Sequence, residues 1–175
     1  MIVMGAHGEN EKDPFAIGSV TKKVIRHTKC PTLFVKKVSS LSNLLVGVDG
    51  SEHSFKALNY AVKLGERVGS KLTLLNVQDH RLYDVSPKTA EEAGQRILSK
   101  ALKAVGKEEL KVDKRLTFGV LSDKIVEIAE ERNHDLIVLG SRGLGTVKRF
   151  LLGSVSEDVS HKAKCSVLII PTKDN

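Results

Sequence analysis

Three glycines and a serine at fixed spacing form the part of this sequence best suited to bind a phosphate. They follow the pattern Gly140-x2-Gly143-x9-Gly153-Ser154. The apolar run at 135–139 precedes the first glycine and predicts a buried parallel strand. Residues 154–163 predict a helix with hydroxyls and acids in its first turn. A strand, a glycine loop and a helix in this order gather backbone N–H groups at a helix N-terminus, where an anion binds well.

The same pattern occurs a second time at the start of the chain. There it reads Gly5-x2-Gly8-x9-Gly18-Ser19, at a gapless offset of 135 residues from the downstream copy. An internal duplication has to be interpreted before the rest of the fold. We therefore interpret residues 1–42 as the closing strand–loop–helix–strand of a first module with its linker, and residues 43–173 as a complete second module.

Short apolar runs alternate with amphipathic segments throughout residues 43–173. Such alternation predicts an α/β fold with right-handed crossovers and a parallel sheet covered on both faces. We expect a polar loop at 78–88 and a helix capped by Ser122. Ligands of such sheets bind beyond the carboxyl ends of the strands. Asp49 ends the first strand and Gly140 ends the fourth, so both would lie at that edge.

Composition excludes several classes of function. The 175 residues are 41% hydrophobic and 28% charged, as in ordinary globular chains. The sequence has no apolar run long enough for a membrane helix and no signal-peptide pattern, so we expect a cytoplasmic protein without a membrane partner. Cys30 and Cys165 cannot form a disulfide framework. The net charge of +7 comes without a recognisable nucleic-acid-binding motif, so we expect no nucleic-acid partner.

With these residues in view, the chain resembles the universal stress protein family. The stretches Val46-Gly-Val-Asp49-Gly-Ser51 and Leu74-Leu-Asn-Val77 carry the resemblance together with the downstream glycine motif. The family implies a five-stranded, doubly wound parallel sheet in the order 3-2-1-4-5, here with an N-terminal β-α-β fragment of a second copy. It also implies ATP binding in many members and dimers paired through the fifth strand. The sequence departs from the family at Gly47, where many members have proline, and at Gly119-Val-Leu-Ser122, which replaces the usual Gly-x-Pro.

The resemblance implies contacts at both ends of an adenine nucleotide. Asp49 would face the adenine or the ribose, and the backbone of Val77 would contact the adenine. Gly140 and Gly143 would admit the phosphates. The phosphates would then bind N–H and hydroxyl groups of Gly153, Ser154 and Val155.

Two charged groups complete the expected site. Arg142 lies inside the glycine loop, and its guanidinium suits a phosphate. A triphosphate held mainly by backbone dipoles needs counter-charge, so we expect Mg²⁺ or Mn²⁺ to arrive with the nucleotide. Asp49 is the nearest candidate carboxylate for that metal.

The expected function is binding of ATP, or of AMP or ADP, without efficient turnover. The sequence has neither a P-loop lysine motif nor a kinase-type catalytic loop. The bound nucleotide would then regulate conformation or assembly in a stress response. Two alternatives stay open: slow ATP hydrolysis or autophosphorylation, with Ser154 or Ser156 as acceptor, and a nucleotide-free dimerisation scaffold.

The incomplete first copy lacks the strand that would pair with its first strand, so the edge of that first strand needs another partner. Its second strand, Thr32–Val35, could pair with 167–170 and form an intramolecular pseudo-dimer. It could instead borrow the missing half from a second chain, as in a homodimer. The outcome we favour from the gapless repeat is a protein that begins upstream of Met1. Acidic residues within 9–13 disfavour a second nucleotide, so we expect one site per chain.

Overall fold

A seven-stranded sheet forms the centre of the described part of the chain. In this computed structural model the described residues are 1–6, 18–106, 109–144 and 152–171. The strands are β1 (Ile2–Gly5), β2 (Thr32–Val35), β3 (Asn43–Gly47), β4 (Lys71–Gln78), β5 (Val112–Phe118), β6 (Leu136–Gly140) and β7 (Ser166–Ile170). The helices are α1 (Ser19–His27), α2 (Glu52–Val68), α3 (His80–Val85), α4 (Pro87–Val105), α5 (Leu121–Glu131) and α6 (Ser154–Lys162).

The strand order confirms the predicted α/β fold. The order is β1-β2-β7-β6-β3-β4-β5, and the five strands from β5 to β7 reproduce the expected order 3-2-1-4-5. These five pair in parallel throughout. The expected β-α-β fragment extends this sheet by β1 and β2, which also pair in parallel. The carboxyl ends of β3, β4 and β6 therefore meet at one edge, as the position of Asp49 and Gly140 requires.

Successive residues of the central strands supply two separate cores, one on each face of the sheet. Leu44 of β3 packs with Leu58 of α2 and Leu98 of α4. Leu45, the next residue, packs on the other face with Ile125 of α5 and with α6. Each fully buried leucine contributes about 1.5–3 kcal/mol to folding. Burial on both faces explains why the central strands read as continuous apolar runs.

The ends of the helices follow local sequence signals, with two corrections to the predictions. Ser51 caps α2 as expected, since its hydroxyl accepts a hydrogen bond from the Ser54 N–H at 3.1 Å. Ser122 does not cap α5; Val120 occupies the N-cap position and Ser122 lies in the first turn. The predicted loop at 78–88 contains the short helix α3. The side chain of Asp79 accepts a hydrogen bond from the Arg81 N–H at 2.9 Å, a capping contact that can start such a helix.

The sequence repeat is also visible in hydrogen bonds whose residue numbers differ by 135. Gly18 N–H donates to the Ala6 carbonyl at 2.9 Å, and Gly153 N–H donates to the Ser141 carbonyl at 2.8 Å. The hydroxyl of Thr21 donates to the Gly5 carbonyl. Its counterpart, Ser156, donates in the same way. The division at residues 42 and 43 stays a prediction. Gly8 and the acidic stretch after it lie outside the described residues.

β2 pairs with β7 in antiparallel fashion, which is the intramolecular pairing among the three expected outcomes. Thr32 lies opposite Ile169, Leu33 opposite Leu168, and Phe34 opposite Val167. Leu33 and Leu168, which lie opposite each other, are themselves separated by the repeat offset of 135 residues. β7 therefore has β6 on one edge and β2 on the other. None of the described helices is long and apolar enough to cross a membrane.

Candidate functional site

A cavity of about 530 Å³ opens at the carboxyl ends of β3, β4 and β6. Its volume lies in the range of small-molecule sites, about 300–1,000 Å³. All of the residues predicted from the sequence to contact a nucleotide line this cavity: Asp49, Val77, Gly140, Arg142, Gly143, Gly153, Ser154 and Val155. The structure therefore brings together residues that are up to about a hundred positions apart in the chain.

The Asp49 carboxylate organises the turn between β3 and α2. Its Oδ1 accepts hydrogen bonds from the Ser51 N–H at 2.9 Å and the Ser51 hydroxyl at 2.6 Å. Its Oδ2 accepts a hydrogen bond from the Leu144 N–H at 3.1 Å, which ties the glycine loop to this turn. Asp49 is half-buried and lines the cavity. It can therefore act both as a structural acceptor and as a negative charge at the cavity wall.

Gly143 and Gly140 are required for two different close approaches. A Cβ atom at residue 143 would lie 2.5 Å from Asp49 Oδ2, so a larger residue would push the loop away from that carboxylate. A Cβ atom at residue 140 would lie 2.7 Å from the backbone carbonyl carbon of His53, in the first turn of α2. Gly140 therefore has a packing role between β6 and α2 in addition to the phosphate role assigned from the sequence.

The N-terminus of α6 faces the cavity, but not all of its expected donors are free to bind a ligand. The Gly153 N–H donates to the Ser141 carbonyl at 2.8 Å, and its role as a phosphate donor stays a prediction. The Glu157 N–H donates to the Gly153 carbonyl at 3.0 Å. The N–H groups of Ser154 and Val155 precede that first helical bond. Groups in this position have no acceptor within their own helix and suit an anion.

The two serines named as phosphate acceptors differ in accessibility. The Ser156 hydroxyl is buried and donates to the Gly140 carbonyl at 2.7 Å. This bond holds the start of α6 against the end of β6 and makes Ser156 the less accessible of the two serines. Ser154 is exposed and lines the cavity.

The other end of the cavity suits a flat apolar group. Apolar side chains from both faces of the sheet line it: Val48, Leu75, Ile97, Leu121, Ile125 and Leu139. The Gln78 carbonyl accepts a hydrogen bond from Gly119 beyond the end of β5. Backbone groups alternate in direction along a strand, so those of Val77 point the other way, towards the space beyond the end of β3. That space is the cavity, as the prediction for Val77 requires.

Two buried amides in the cavity wall were not among the predicted site residues. Asn76 and Gln78 line the cavity, with relative exposures of 1% and 9%. Both side chains lie on the same face of β4, since they are two residues apart. Polar residues at alternating positions within a buried apolar strand are the sequence signal that could have identified them.

Asp79 adds a second carboxylate to the cavity. It binds Arg81 through side-chain hydrogen bonds, the shortest from Arg81 Nη2 to Oδ2 at 2.6 Å. These hydrogen bonds, together with one from the Arg81 N–H, hold the pKa of Asp79 well below its usual value. Among the described residues no cluster of three His, Cys, Asp or Glu side chains could hold a metal ion. A metal at Asp49 would therefore take most of its ligands from a bound molecule and water.

A second cavity, of about 450 Å³, lies at the opposite end of the sheet. Cys165 and the buried His134 line it. Burial raises the pKa of the Cys165 thiol to about 11, so this thiol is protonated at neutral pH and is a poor nucleophile. The side chains of this second cavity therefore do not suggest cysteine catalysis.

Comparisons with known proteins cover nearly all of the chain. The sequence matches the profile of the Universal stress protein family over residues 1–36 and 41–171. A universal stress protein of Staphylococcus aureus strain USA300 is 38% identical over 144 residues, covering 75% of this chain and 85% of that protein. The matched range 41–171 contains every residue that lines the first cavity.

Solved structures show the same similarity. A universal stress protein in complex with cAMP has a TM-score of 0.62 at 29% identity, covering 75% of this chain and 98% of that one. A universal stress protein from Archaeoglobus fulgidus DSM 4304 has a TM-score of 0.71 at 28% identity. That similarity covers 99% of this chain and 61% of the Archaeoglobus chain, so it includes the part of the sheet formed by β1 and β2.

Proposed function

Because the chain belongs to the universal stress protein family, we propose that it binds an adenine nucleotide, ATP or its relatives AMP and ADP, in the first cavity. One observation carries the proposal. A single cavity combines an apolar pocket, the Asp49 carboxylate and the N-terminus of α6, which suit a base, a ribose and phosphates in turn. The family member in complex with cAMP supports an adenine nucleotide as the ligand.

The phosphates would lie against the start of α6. The N–H groups of Ser154 and Val155 would donate to phosphate oxygens, and the positive end of the helix dipole would favour their charge. Arg142 lines the same part of the cavity and can supply a full positive charge. Asp49 would be the carboxylate that holds Mg²⁺ or Mn²⁺, and the metal would supply positive charge to the phosphates, since Mg²⁺ usually keeps waters and binds few protein carboxylates.

The arrangement favours binding over rapid turnover. The glycine loop supplies no P-loop lysine, and the buried Ser156 hydroxyl is already hydrogen-bonded within the fold. The nucleotide would then act as a regulatory ligand. It would stabilise one position of the glycine loop through the Asp49–Leu144 contact, and a partner could sense that position.

Autophosphorylation is a second candidate because one serine at the cavity is accessible. Ser154 is exposed at the start of α6, where its hydroxyl could meet a terminal phosphate. Incubation of the purified chain with γ-labelled ATP distinguishes the candidates. Saturable binding without label transfer or sustained phosphate release supports regulation by binding. Label on Ser154 that is lost in Ser154→Ala would support autophosphorylation instead of regulation by binding alone. No nucleotide binding at all would favour a nucleotide-free scaffold.

A further inference from the structure

The two buried amides of β4 form a hydrogen-bonded chain that starts at the backbone. The Asn76 Nδ2 donates to the Val48 carbonyl at 2.6 Å. The Gln78 Nε2 then donates to Asn76 Oδ1 at 2.7 Å. A backbone carbonyl can only accept, so the Asn76 side chain must present its NH₂ group to Val48 and its oxygen to Gln78. Gln78 must in turn present its NH₂ group to Asn76.

This chain fixes the polarity of the cavity wall at Gln78. With its nitrogen turned towards Asn76, the Gln78 side chain presents its oxygen, Oε1, on the other side. No described residue donates a hydrogen bond to that oxygen, although Gln78 is about nine-tenths buried and lines the cavity. The cavity wall thus carries an acceptor that cannot become a donor by rotation of the amide.

The helix packed over the amides is adapted to them. Gly94 lies in α4, where glycine costs about 1 kcal/mol relative to alanine. A Cβ atom at residue 94 would lie 3.0 Å from Asn76 Oδ1 and would also collide with Leu116. Gly94 therefore allows α4 to pack closely over the Asn76–Gln78 pair, which explains the break in the apolar pattern of this helix.

A fixed acceptor distinguishes purines by the group at position 6. Adenine carries an amino group there, which donates hydrogen bonds, whereas guanine and hypoxanthine carry a carbonyl, which accepts them. At the place of the amino group, a 6-oxo base would bring its carbonyl oxygen against the Gln78 oxygen, two acceptors that cannot form a hydrogen bond with each other. Gln78 follows Val77 directly at the end of β4, the strand assigned to the base, whereas the α6 N-terminus faces the phosphates.

We propose that Gln78 is a specificity-determining residue that selects a 6-amino purine over a 6-oxo purine, with Asn76 as its positioning residue. This inference rests on the proposed binding of a nucleotide in the same cavity. It predicts that the chain binds ATP at least about tenfold more tightly than ITP, which differs in having the 6-oxo base.

Calorimetric titration of ATP and ITP into the wild-type chain and Gln78→Met tests the inference. Methionine keeps the length of the side chain and removes the acceptor. We expect the ATP-to-ITP affinity ratio to fall about fivefold or more in the variant, through weaker ATP binding. An unchanged ratio would overturn the inference. So would an effect on ATP that disappears with 2′-deoxy-ATP, since the acceptor would then meet the ribose.

The wild-type chain alone keeps the inference testable if Gln78→Met does not fold. Purine riboside triphosphate has no substituent at position 6, so we expect its affinity to lie between those of ATP and ITP. Equal affinities for all three nucleotides would overturn the role of Gln78 while leaving nucleotide binding intact. Absence of saturable binding by all three would contradict the proposed function itself and the inference with it.

Discussion

Asp49 connects the turn after β3 with the glycine loop, so a change in its charge should alter the affinity for the nucleotide. We predict that Asp49→Asn lowers the affinity for ATP in the presence of Mg²⁺ by about tenfold, because one carboxylate charge near the metal is lost. The asparagine NH₂ group would also have to face one of three N–H or O–H donors. Fluorescence or calorimetric titration with and without Mg²⁺ measures the effect.

Asp135→Asn is the matched control for this prediction. The Asp135 Oδ2 also accepts two backbone N–H groups, from Ser42 at 2.8 Å and Asn43 at 3.0 Å, but at the opposite end of the sheet. The same change in charge there should leave ATP affinity unaltered. Equal ATP affinities of wild type and Asp49→Asn would exclude Asp49 from the site.

His134 makes the stability of the fold depend on pH. It is 5% exposed, and its Nε2 lies 3.0 Å from the Thr73 hydroxyl. Burial lowers the pKa of His134, and the carbonyl groups of Ile128 and Ala129 and the Asp135 carboxylate oppose that shift only in part. Below the unfolded pKa of about 6.5 the unfolded chain binds a proton that the folded chain does not.

We therefore predict that the free energy of unfolding falls as pH decreases through about 6.5, by at most about 1.4 kcal/mol per pH unit from this group. Urea unfolding between about pH 8 and 5.5 measures it. His134→Asn should flatten the dependence, whereas a change at the exposed His27 should not. An unchanged slope in His134→Asn would show that His134 does not cause the dependence.

Single site residues could be predicted from the sequence where the local backbone geometry requires a particular residue type. The glycine motif and the strand-end Asp49 all reached the cavity because each fits a local chain geometry. Asn76 and Gln78 were missed because their polarity has meaning only once α4 covers them and the Val48 carbonyl fixes their orientation. The hydrogen bond from the Gly153 N–H to the Ser141 carbonyl could not be predicted, because the loop conformation sets it.

At the level of elements, the contact between β6 and α2 separates packing from binding in the glycine loop. We predict that Gly140→Ala lowers the free energy of unfolding by about 1–3 kcal/mol, because the new Cβ would meet the His53 backbone, which cannot rotate away. Gly143→Ala meets only the Asp49 carboxylate, a side chain that can move. It should leave stability nearly unchanged and lower ATP affinity about tenfold or more.

Thermal unfolding and ATP titration of both variants measure this separation. A stable Gly140→Ala protein would contradict the packing role of Gly140. Normal ATP binding by Gly143→Ala would show that the nucleotide does not need the Asp49–loop contact. Valine at both positions is a poorer test, since loss of folding and loss of binding would coincide.

The elements themselves were largely predictable from their periodicity. All five strands of residues 43–173 and the helices that cover them follow apolar patterns that burial on two faces imposes. The helix α3 was missed because its six residues have no sustained apolar face. Its signals are the Asp79 cap and the contact between Tyr83 and Phe118, with ring centroids 4.5 Å apart, and the latter depends on the tertiary fold.

At the scale of the whole molecule, residues 32–35 contribute to a hydrophobic core formed mainly by residues 43–173. Phe34 is fully buried and packs in the same core as Val167, Ile169 and Leu139. We predict that Phe34→Ala lowers the free energy of unfolding of the entire chain by about 3–5 kcal/mol, in a single cooperative transition. Chemical denaturation followed by circular dichroism measures this loss.

Val20→Ala is the control, because Val20 lies in α1 of the same segment but is exposed. A small effect of Phe34→Ala, or a separate early transition, would show that β2 does not fold as one unit with β7. This pairing was one of three outcomes predicted from the sequence, and the sequence alone could not distinguish among them. Pairing between strands more than a hundred residues apart leaves no local pattern, and only the shared offset made it conceivable.

Titration of the full 175-residue chain with ATP and Mg²⁺ in a calorimeter tests the central claim most directly. The proposed site predicts saturable binding with about one nucleotide per chain, and a large loss of affinity in Gly143→Ala. No binding at ATP concentrations up to about 1 mM, a range that would detect even weak affinities, would contradict it. Unchanged binding by Gly143→Ala would contradict the predicted dependence of nucleotide binding on the glycine loop.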